Sequence, residues 1–197
     1  MRIIAGEFRS RLLAAPQNRA TRPTTDRARE TLFNVLQHLF DLSGMHVLDL
    51  YAGSGALGIE ALSRGAASAV FIERDRKALA SLDANIAALK LESRTRILRG
   101  DVHTRIASAV GPFDLILADA PYDDARSRVE LLPLIVKYSL LSPDGCCVIE
   151  HRAGDEIAVP EQYAILRRFV AGEASFTIVS SVKSSDQAGS ANVRRSV

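Results

Sequence analysis

Val47-Leu48-Asp49-Leu50-Tyr51-Ala52-Gly53-Ser54-Gly55-Ala56-Leu57-Gly58 runs from an apolar strand through a glycine turn into a helix. Glycines at 53, 55 and 58 let backbone approach a ligand closely at the carboxyl end of the strand, and their spacing satisfies the dinucleotide-binding fingerprint. Glu73 closes the next apolar run, Ala69 to Glu73, about twenty residues after the first glycine, where a carboxylate can accept from both ribose hydroxyls of a nucleoside. Both features serve NAD and S-adenosylmethionine alike.

Charge distinguishes the two ligands. A dinucleotide lays an anionic pyrophosphate over this turn, whereas S-adenosylmethionine brings a cationic ammonium and a sulfonium. Asp49, four residues before Gly53, puts a carboxylate there, which favours the cation and would be costly beside pyrophosphate. Asp101, after Gly100 at the end of a third strand, can accept from the adenine amine, cap the helix that follows, or do both, while Val102 and Ile72 can pack on the ring. The expected cofactor is S-adenosylmethionine, bound by Asp49, Tyr51, Gly53, Ser54, Gly55, Glu73, Arg74, Asp101, Val102 and Asp119.

Working outward, strand and helix patterns alternate. His46 to Leu50 is a strand, followed by a helix through Glu60 and Ser63, then the strand Ala69 to Glu73 and a helix from Arg76 to Leu89. Arg94 to Arg99, Phe113 to Asp119 and Cys146 to Glu150 are further strands, separated by helices at His103 to Val110 and Ser127 to Tyr138. This alternation predicts a mostly parallel sheet with helices on both faces. Tyr163 to Val170 and Ser175 to Val182 follow as an antiparallel hairpin. Before the alternation, Asp26 to Phe40 carries Leu32, Val35, Leu36, Leu39 and Phe40 at helical spacing, with Asp26 and Glu30 in the first turn. Arg2 to Gly6 and Arg11 to Ala15 read as two short strands of a hairpin appended to the main domain. The expected organisation is a basic hairpin extension over 1–25, an α/β domain over 26–184 and a frayed polar tail over 185–197.

The fourth strand runs into Asp119-Ala120-Pro121-Tyr122. An exocyclic amine on a nucleobase is a poor nucleophile because its lone pair is delocalised into the ring. Two acceptors that hold its hydrogens draw the nitrogen toward a tetrahedral shape and aim the lone pair. The Asp119 carboxylate and the Ala120 carbonyl are the candidates. Pro121 favours an extended Ala120 and contributes no N–H, and Tyr122 can stack on a flipped base. Catalysis of this kind is positioning, with nitrogen, methyl carbon and sulfur in line, and it needs no metal.

Composition sets the remaining bounds. The 197 residues are 47% hydrophobic and 24% charged, enough for a normal core. The longest nearly apolar stretch, Leu131 to Leu141, holds Lys137 and falls well short of the roughly 18 to 20 residues of a membrane helix. The N-terminus has no secretory pattern, so a cytoplasmic location is expected. Cys146 and Cys147, adjacent in a strand, point to opposite faces and cannot form an ordinary bridge. His38, His46, His103 and His151 lack ligand spacing, so no metal is expected. Net charge is only +2, yet residues 1–30 carry seven Arg against three acids. That arm suits phosphate contacts, with Arg2, Arg9, Arg11, Arg19, Arg22, Thr24 and Arg27 as candidate RNA-binding residues. Codon bias is the competing source of the arginines, which make up 21 of 25 cations in the chain.

Four stretches together resemble the RsmD family, bacterial methyltransferases of a guanine N2 amine in 16S rRNA. They are Met1-Arg2-Ile3-Ile4-Ala5-Gly6, Thr21-Arg22-Pro23-Thr24-Thr25-Asp26-Arg27-Ala28-Arg29-Glu30 with Leu32-Phe33-Asn34, Leu48 to Gly58 with Glu60-Ala61-Leu62-Ser63-Arg64-Gly65-Ala66, and Asp119 to Tyr122. The resemblance implies a Rossmann-like class I methyltransferase fold whose seven-stranded sheet has its last strand antiparallel. It also implies an N-terminal hairpin that grips ribosomal RNA of the small subunit, and Arg22 to Arg27 near cofactor and acceptor base. Separately, a monomer is the expected state, though nothing in the sequence fixes the oligomeric state. The family's usual tetrapeptide is Asp-Pro-Pro-Tyr, and here Ala120 replaces the first proline while keeping its carbonyl. Three rival readings keep part of these features. A nicotinamide-dependent oxidoreductase is opposed by Asp49. An N6-adenine DNA methyltransferase has no evident DNA-reading domain in so short a chain. A non-catalytic RNA-binding assembly factor has no use for the acceptor loop.

Overall fold

The computed structural model describes residues 1–15, 25–121, 124–155 and 157–182. Among them the expected alternation is present as β1 (His46–Leu50), α2 (Ala56–Ser63), β2 (Ser68–Glu73), α3 (Arg76–Leu89), β3 (Thr95–Arg99), α4 (Val102–Arg105), β4 (Phe113–Ala118), α5 (Ala125–Lys137) and β5 (Leu141–Arg152). The leading helix α1 (Asp26–Leu39) precedes them, and β6 (Tyr163–Ala171) and β7 (Ala174–Ser181) follow. The sheet order is β3-β2-β1-β4-β5-β7-β6, with β7 antiparallel to both of its neighbours and the other pairs parallel. The chain therefore moves outward from β1 through β2 to β3, then returns to the far side of β1 for β4. Between β1 and β4 the order reverses, and a crevice opens at the carboxyl ends of such strands.

Local chemistry sets the helix ends. Thr25 caps α1 by accepting from the Ala28 amide at 3.1 Å, and Asp75 caps α3 by accepting from the Lys77 and Ala78 amides at 3.0 and 2.8 Å. Lys90 closes α3 in the left-handed region with φ 56°.

Strand alternation sorts the core onto two faces. Val47, Phe71, Leu115, Leu117, Cys146 and Val148 meet α1, α2 and α3 through Leu32, Phe33, Leu36, Ile59, Leu62 and Leu82. Leu48, Leu50, Ile72, Ile116, Cys147 and Ile149 meet Ile106 and the α5 residues Leu131, Leu132 and Ile135. The adjacent cysteines thus lie in different layers, both buried and unbridged, and burial pushes the Cys146 thiol up to about 12. Asp49 shares the Val47 face, which turns it toward α2.

Three expectations need correction. The N-terminal pair of strands shortens to one antiparallel bridge, Arg2 to Leu12, held by the Ile3 amide on the Arg11 carbonyl and the Leu13 amide on the Met1 carbonyl, both at 3.0 Å, because the amides that follow from Ile4 bond elsewhere. Ile4 and Ala5 donate to the Glu60 carboxylate at 2.8 and 3.1 Å, and Glu7 and Phe8 donate to the Ser63 carbonyl and hydroxyl at 2.7 and 3.0 Å. Ile3 and Leu13 enter the same core layer as α1 and α2, so this segment is packed onto the sheet's helical cover. The helix expected over His103 to Val110 starts at Val102 under the Asp101 cap and tightens into a 3₁₀ turn over Ile106–Ser108. Strand β5 begins at Leu141, five residues early. It passes Ser142-Pro143-Asp144-Gly145 through an irregularity in its pairing with β4, where the Ser142 hydroxyl donates to Asp114 at 3.0 Å.

Candidate active site

The carboxyl ends of β1 and β4 lie side by side, with Asp49 opposite Leu117 and Leu50 opposite Ala118. The glycine turn leaves β1 here and Asp119-Ala120-Pro121 leaves β4, so the two distant stretches meet at the same end of the sheet.

Asp49 is 1% exposed, and its Oδ2 accepts from the Gly58 amide at 2.9 Å. Its Oδ1 is enclosed and has no hydrogen-bond partner. Burial pushes the carboxyl up to about 7, the Gly58 bond opposing and the Glu73 charge reinforcing the rise. Only glycine fits at position 58. A Cβ there would lie 2.4 Å from the Phe71 ring and 3.1 Å from Asp49 Oδ2, so the amide could not come this close.

Glu73 holds the turn from the next strand. Its Oε2 accepts from the Gly53 amide at 2.7 Å, and its Oε1 accepts from the Arg74 and Asp75 amides, both at 2.7 Å. Oε1 is filled by two donors, whereas Oε2 keeps a lone pair, so the geometry leaves room for one ribose hydroxyl where the sequence suggests two. Gly53 has φ 58° and open space where a side chain would sit. Gly55 has φ 83° and packs against Leu82, and Ser54 is buried with its carbonyl taken by Asn85 at 2.9 Å.

Both readings of Asp101 are compatible with its position. It caps α4, accepting from the His103 amide at 3.0 Å, and its second oxygen pairs with Arg74 at 3.0 Å. Val102 is buried beside Ile72 on the α5 face of the sheet.

Tyr51 carries a network that spacing alone did not reveal. Its hydroxyl bonds Ser127 Oγ, and Ser127 donates to Asp124 Oδ2 at 2.6 Å. His103 Nε2 lies 3.3 Å from Ser127 Oγ and 3.5 Å from the Tyr51 oxygen. Burial pushes the phenol up to about 12, partly offset by its bond to Ser127, so it remains a donor at neutral pH. Burial raises Asp124 too, but bonds from the Ser127 hydroxyl and amide, with His103 nearby, outweigh it and leave the carboxyl below its usual range.

On the acceptor side, Asp119 and Ala120 are half-buried and Pro121 is exposed. Ala120 and Pro121 border a small cleft with Asp124, Ser127, Leu131, Ile149, Glu150, His151 and Asp155. Tyr122 lies outside the described residues.

Of the candidate RNA contacts, Arg2, Arg9, Arg11 and Arg27 are exposed, while Arg19, Arg22 and Thr24 lie outside the described residues. Arg2 approaches Asp26 at 3.8 Å, and Arg11 donates to the Ala88 carbonyl at 3.3 Å. Arg29, counted in the charge of the arm, is fully buried. It pairs with Asp26 at 3.0 Å and approaches Glu60 at 3.8 Å, so it cannot face a polymer. Glu60 also binds Arg64 at 2.8 Å, and Arg64 lies over the Phe33 ring. Among the described residues no helix is long and apolar enough to cross a membrane, and no group of His, Cys, Asp and Glu has the proximity to hold a metal ion.

The residues fit S-adenosylmethionine. A buried carboxylate oxygen without a partner is stabilised by a cationic group, whereas pyrophosphate beside it would add like charge. Sheet order, glycine turn and the acids at the strand ends define a Rossmann-like class I S-adenosylmethionine-dependent methyltransferase. The family model described as Conserved hypothetical protein 95 matches residues 1–180. The chain belongs to this family, the RsmD family that its motifs resemble. YlbH of Bacillus subtilis is 40% identical over 164 residues, covering 82% of this chain and 86% of that protein. Ribosomal RNA small subunit methyltransferase D of Escherichia coli is 35% identical over 179 residues, covering 90% of this chain and 88% of that one. The solved structure of the Escherichia coli methyltransferase-family protein yhhF superposes with a TM-score of 0.80 at 34% identity, over 92% of this chain and 97% of that chain.

Proposed function

We propose that the protein transfers a methyl group from S-adenosylmethionine to the exocyclic N2 amine of a guanine in 16S rRNA of the small ribosomal subunit. The observation that carries this reading is the adjacency of Asp49 and Asp119-Ala120 at the ends of paired strands β1 and β4. The name of the 35% identical Escherichia coli relative supports the choice of polymer and subunit. The bound cofactor supplies an electrophilic methyl on a sulfonium leaving group.

The chain's own residues do the positioning. Asp49 holds the ammonium of the donor, and Glu73 Oε2 accepts from a ribose hydroxyl. Tyr51, Gly53, Ser54, Gly55 and Arg74 shape the turn around them, with Asp101 and Val102 at the adenine. Asp119 and the Ala120 carbonyl accept the two hydrogens of the acceptor amine, and Tyr122 stacks on the extruded base. Pro121 keeps a competing N–H out of the site. Most of the rate then comes from holding nitrogen in line with carbon and sulfur. Exposed Arg2, Arg9, Arg11 and Arg27, with Arg19, Arg22 and Thr24, contact RNA phosphates or bases.

Asp119→Ala tests the assignment. The variant should hold small-subunit RNA with wild-type affinity and lose methyl transfer at least 100-fold. Unchanged transfer would overturn the assigned role, and absence of transfer from the wild-type protein to any RNA would overturn the reading as a whole.

A further inference from the structure

Two elements must keep a fixed separation for methyl transfer: the turn after β1, which holds the donor, and the loop after β4, which holds the acceptor. Backbone pairing joins them only up to Leu50 and Ala118. Beyond that point, side chains connect them. Tyr51 follows β1 directly, and Asp124 and Ser127 lie where the acceptor loop enters α5.

Proton accounting gives this connection a direction. Asp124 is an acceptor, so Ser127 must spend its only hydrogen on Asp124 Oδ2, at 2.6 Å. Tyr51 must then donate its hydroxyl hydrogen to Ser127 Oγ. The other lone pair of Ser127 faces His103 Nε2 at 3.3 Å. His103 belongs to α4, beside the Asp101 cap, and its Nδ1 lies 3.5 Å from Glu130 Oε2 on α5. With Nε2 as the protonated nitrogen of His103, every valence of the Ser127 hydroxyl is engaged, by three different segments of the chain.

Tyr51 provides an independent observation. Its φ is 62°, a left-handed conformation that costs a bulky residue about 1 to 3 kcal/mol and persists only where surroundings impose it. Asp124 and Ser127 also border the cleft formed with Ala120 and Pro121, so the connection ends at the wall of the acceptor site.

We propose that Ser127 is a positioning residue that latches the acceptor loop to the cofactor turn through Tyr51 on one side and Asp124 on the other. The proposal rests on the methyltransfer reading above and adds to it the joint between donor and acceptor. The competing role for Ser127 is a helix-end contact alone, since Asp124 caps α5 by accepting from the Ser127 amide at 3.2 Å. A cap contributes to stability but not to alignment.

Ser127→Ala, Ser127→Thr, Tyr51→Phe and the double variant Tyr51→Phe/Ser127→Ala separate the two. The full-length proteins are assayed for S-adenosylhomocysteine affinity, KM for unmodified small subunits, and kcat. Misplacement of reacting groups by an ångström costs up to about 100-fold, so kcat should fall by roughly 10- to 100-fold in Ser127→Ala and Tyr51→Phe. Cofactor affinity and KM should stay within about twofold in Ser127→Ala, while Tyr51→Phe, at a residue that also shapes the cofactor turn, is read on kcat. Ser127→Thr, which keeps the hydroxyl, should recover kcat, and the double variant should be no slower than the slower single, because both remove one shared connection. Wild-type kcat in folded Ser127→Ala and Tyr51→Phe, losses that multiply in the double variant, or a change in Ser127→Ala confined to cofactor affinity would each overturn the latch while leaving methyl transfer intact. A wild-type protein without transfer would instead remove the reading on which the latch rests.

Discussion

Replacing Asp49 with Asn separates what this residue costs the fold from what it contributes to the site. The carboxyl is 1% exposed and raised from 3.8 to about 7 by burial. Below pH 3.8 it is protonated in folded and unfolded chains alike and costs nothing. Between 3.8 and about 7 only the unfolded chain is ionised, so stability falls as pH rises, and above about 7 the full cost applies. That full cost is about 4 kcal/mol. Asn can still accept from the Gly58 amide and puts a neutral amide where Oδ1 stands without a partner. Asp49→Asn should therefore raise the melting temperature of the free protein by about 10 °C at pH 8, and by much less at pH 4, given about 2 to 4 °C per kcal/mol for a domain of this size. Cofactor binding should move the other way. A cation about 4 Å from a carboxylate gains about 4 kcal/mol at intermediate dielectric, so S-adenosylhomocysteine, which keeps the ammonium, should bind roughly 100- to 1000-fold more weakly. Thermal melts across pH, with and without ligand, read both effects. A variant that binds this ligand as tightly as wild type would refute the role of Asp49 as the donor's counter-ion.

Cofactor affinity in the unmodified protein should weaken as pH falls below about 7, approaching tenfold per pH unit, because the cation must displace a proton from Asp49; calorimetry across buffers of differing ionisation heat would detect that proton's release. Gly58→Ala places a Cβ 2.4 Å from the Phe71 ring, so it should destabilise by about 1 to 3 kcal/mol in denaturant melts and weaken cofactor binding by displacing the helix from Asp49. Glu60→Gln leaves Arg29 and Arg64 buried with less compensation, and should cost about 3 to 5 kcal/mol with faster hydrogen exchange at the Ile4 and Ala5 amides. Ala120→Pro should keep methyl transfer intact or raise it, measured as kcat on unmodified subunits, since the carbonyl is retained and the turn stiffened.

The glycine turn and the beat of apolar runs were sufficient to read the parallel core of the sheet, because burial on both faces imposes near-continuous apolar strands. The opposite facing of Cys146 and Cys147 followed from the two-residue period alone. What escaped the sequence was contact between distant residues. Glu60 reads as a polar position on a short helix, yet it is fully buried, receiving two amides from the N-terminus and the charges of Arg29 and Arg64. Arg29 reads as one more cation of a basic arm for the same reason. Tyr51 and Ser127 are 76 positions apart, and no local pattern relates them. The filled Oε1 of Glu73 depends on backbone directions in the Glu73-Arg74-Asp75 turn, which propensity does not specify.

The proposed geometry sets a cationic methyl donor beside Asp49 against a base amine held by Asp119 and Ala120. The most direct measurement incubates the protein with labelled S-adenosylmethionine and small ribosomal subunits lacking the modification, then maps the label by nuclease digestion and mass spectrometry. Label on the N2 amine of a single guanine in 16S rRNA is the predicted result. Label on an adenine N6 amine, on DNA, or on no nucleic acid would contradict the account.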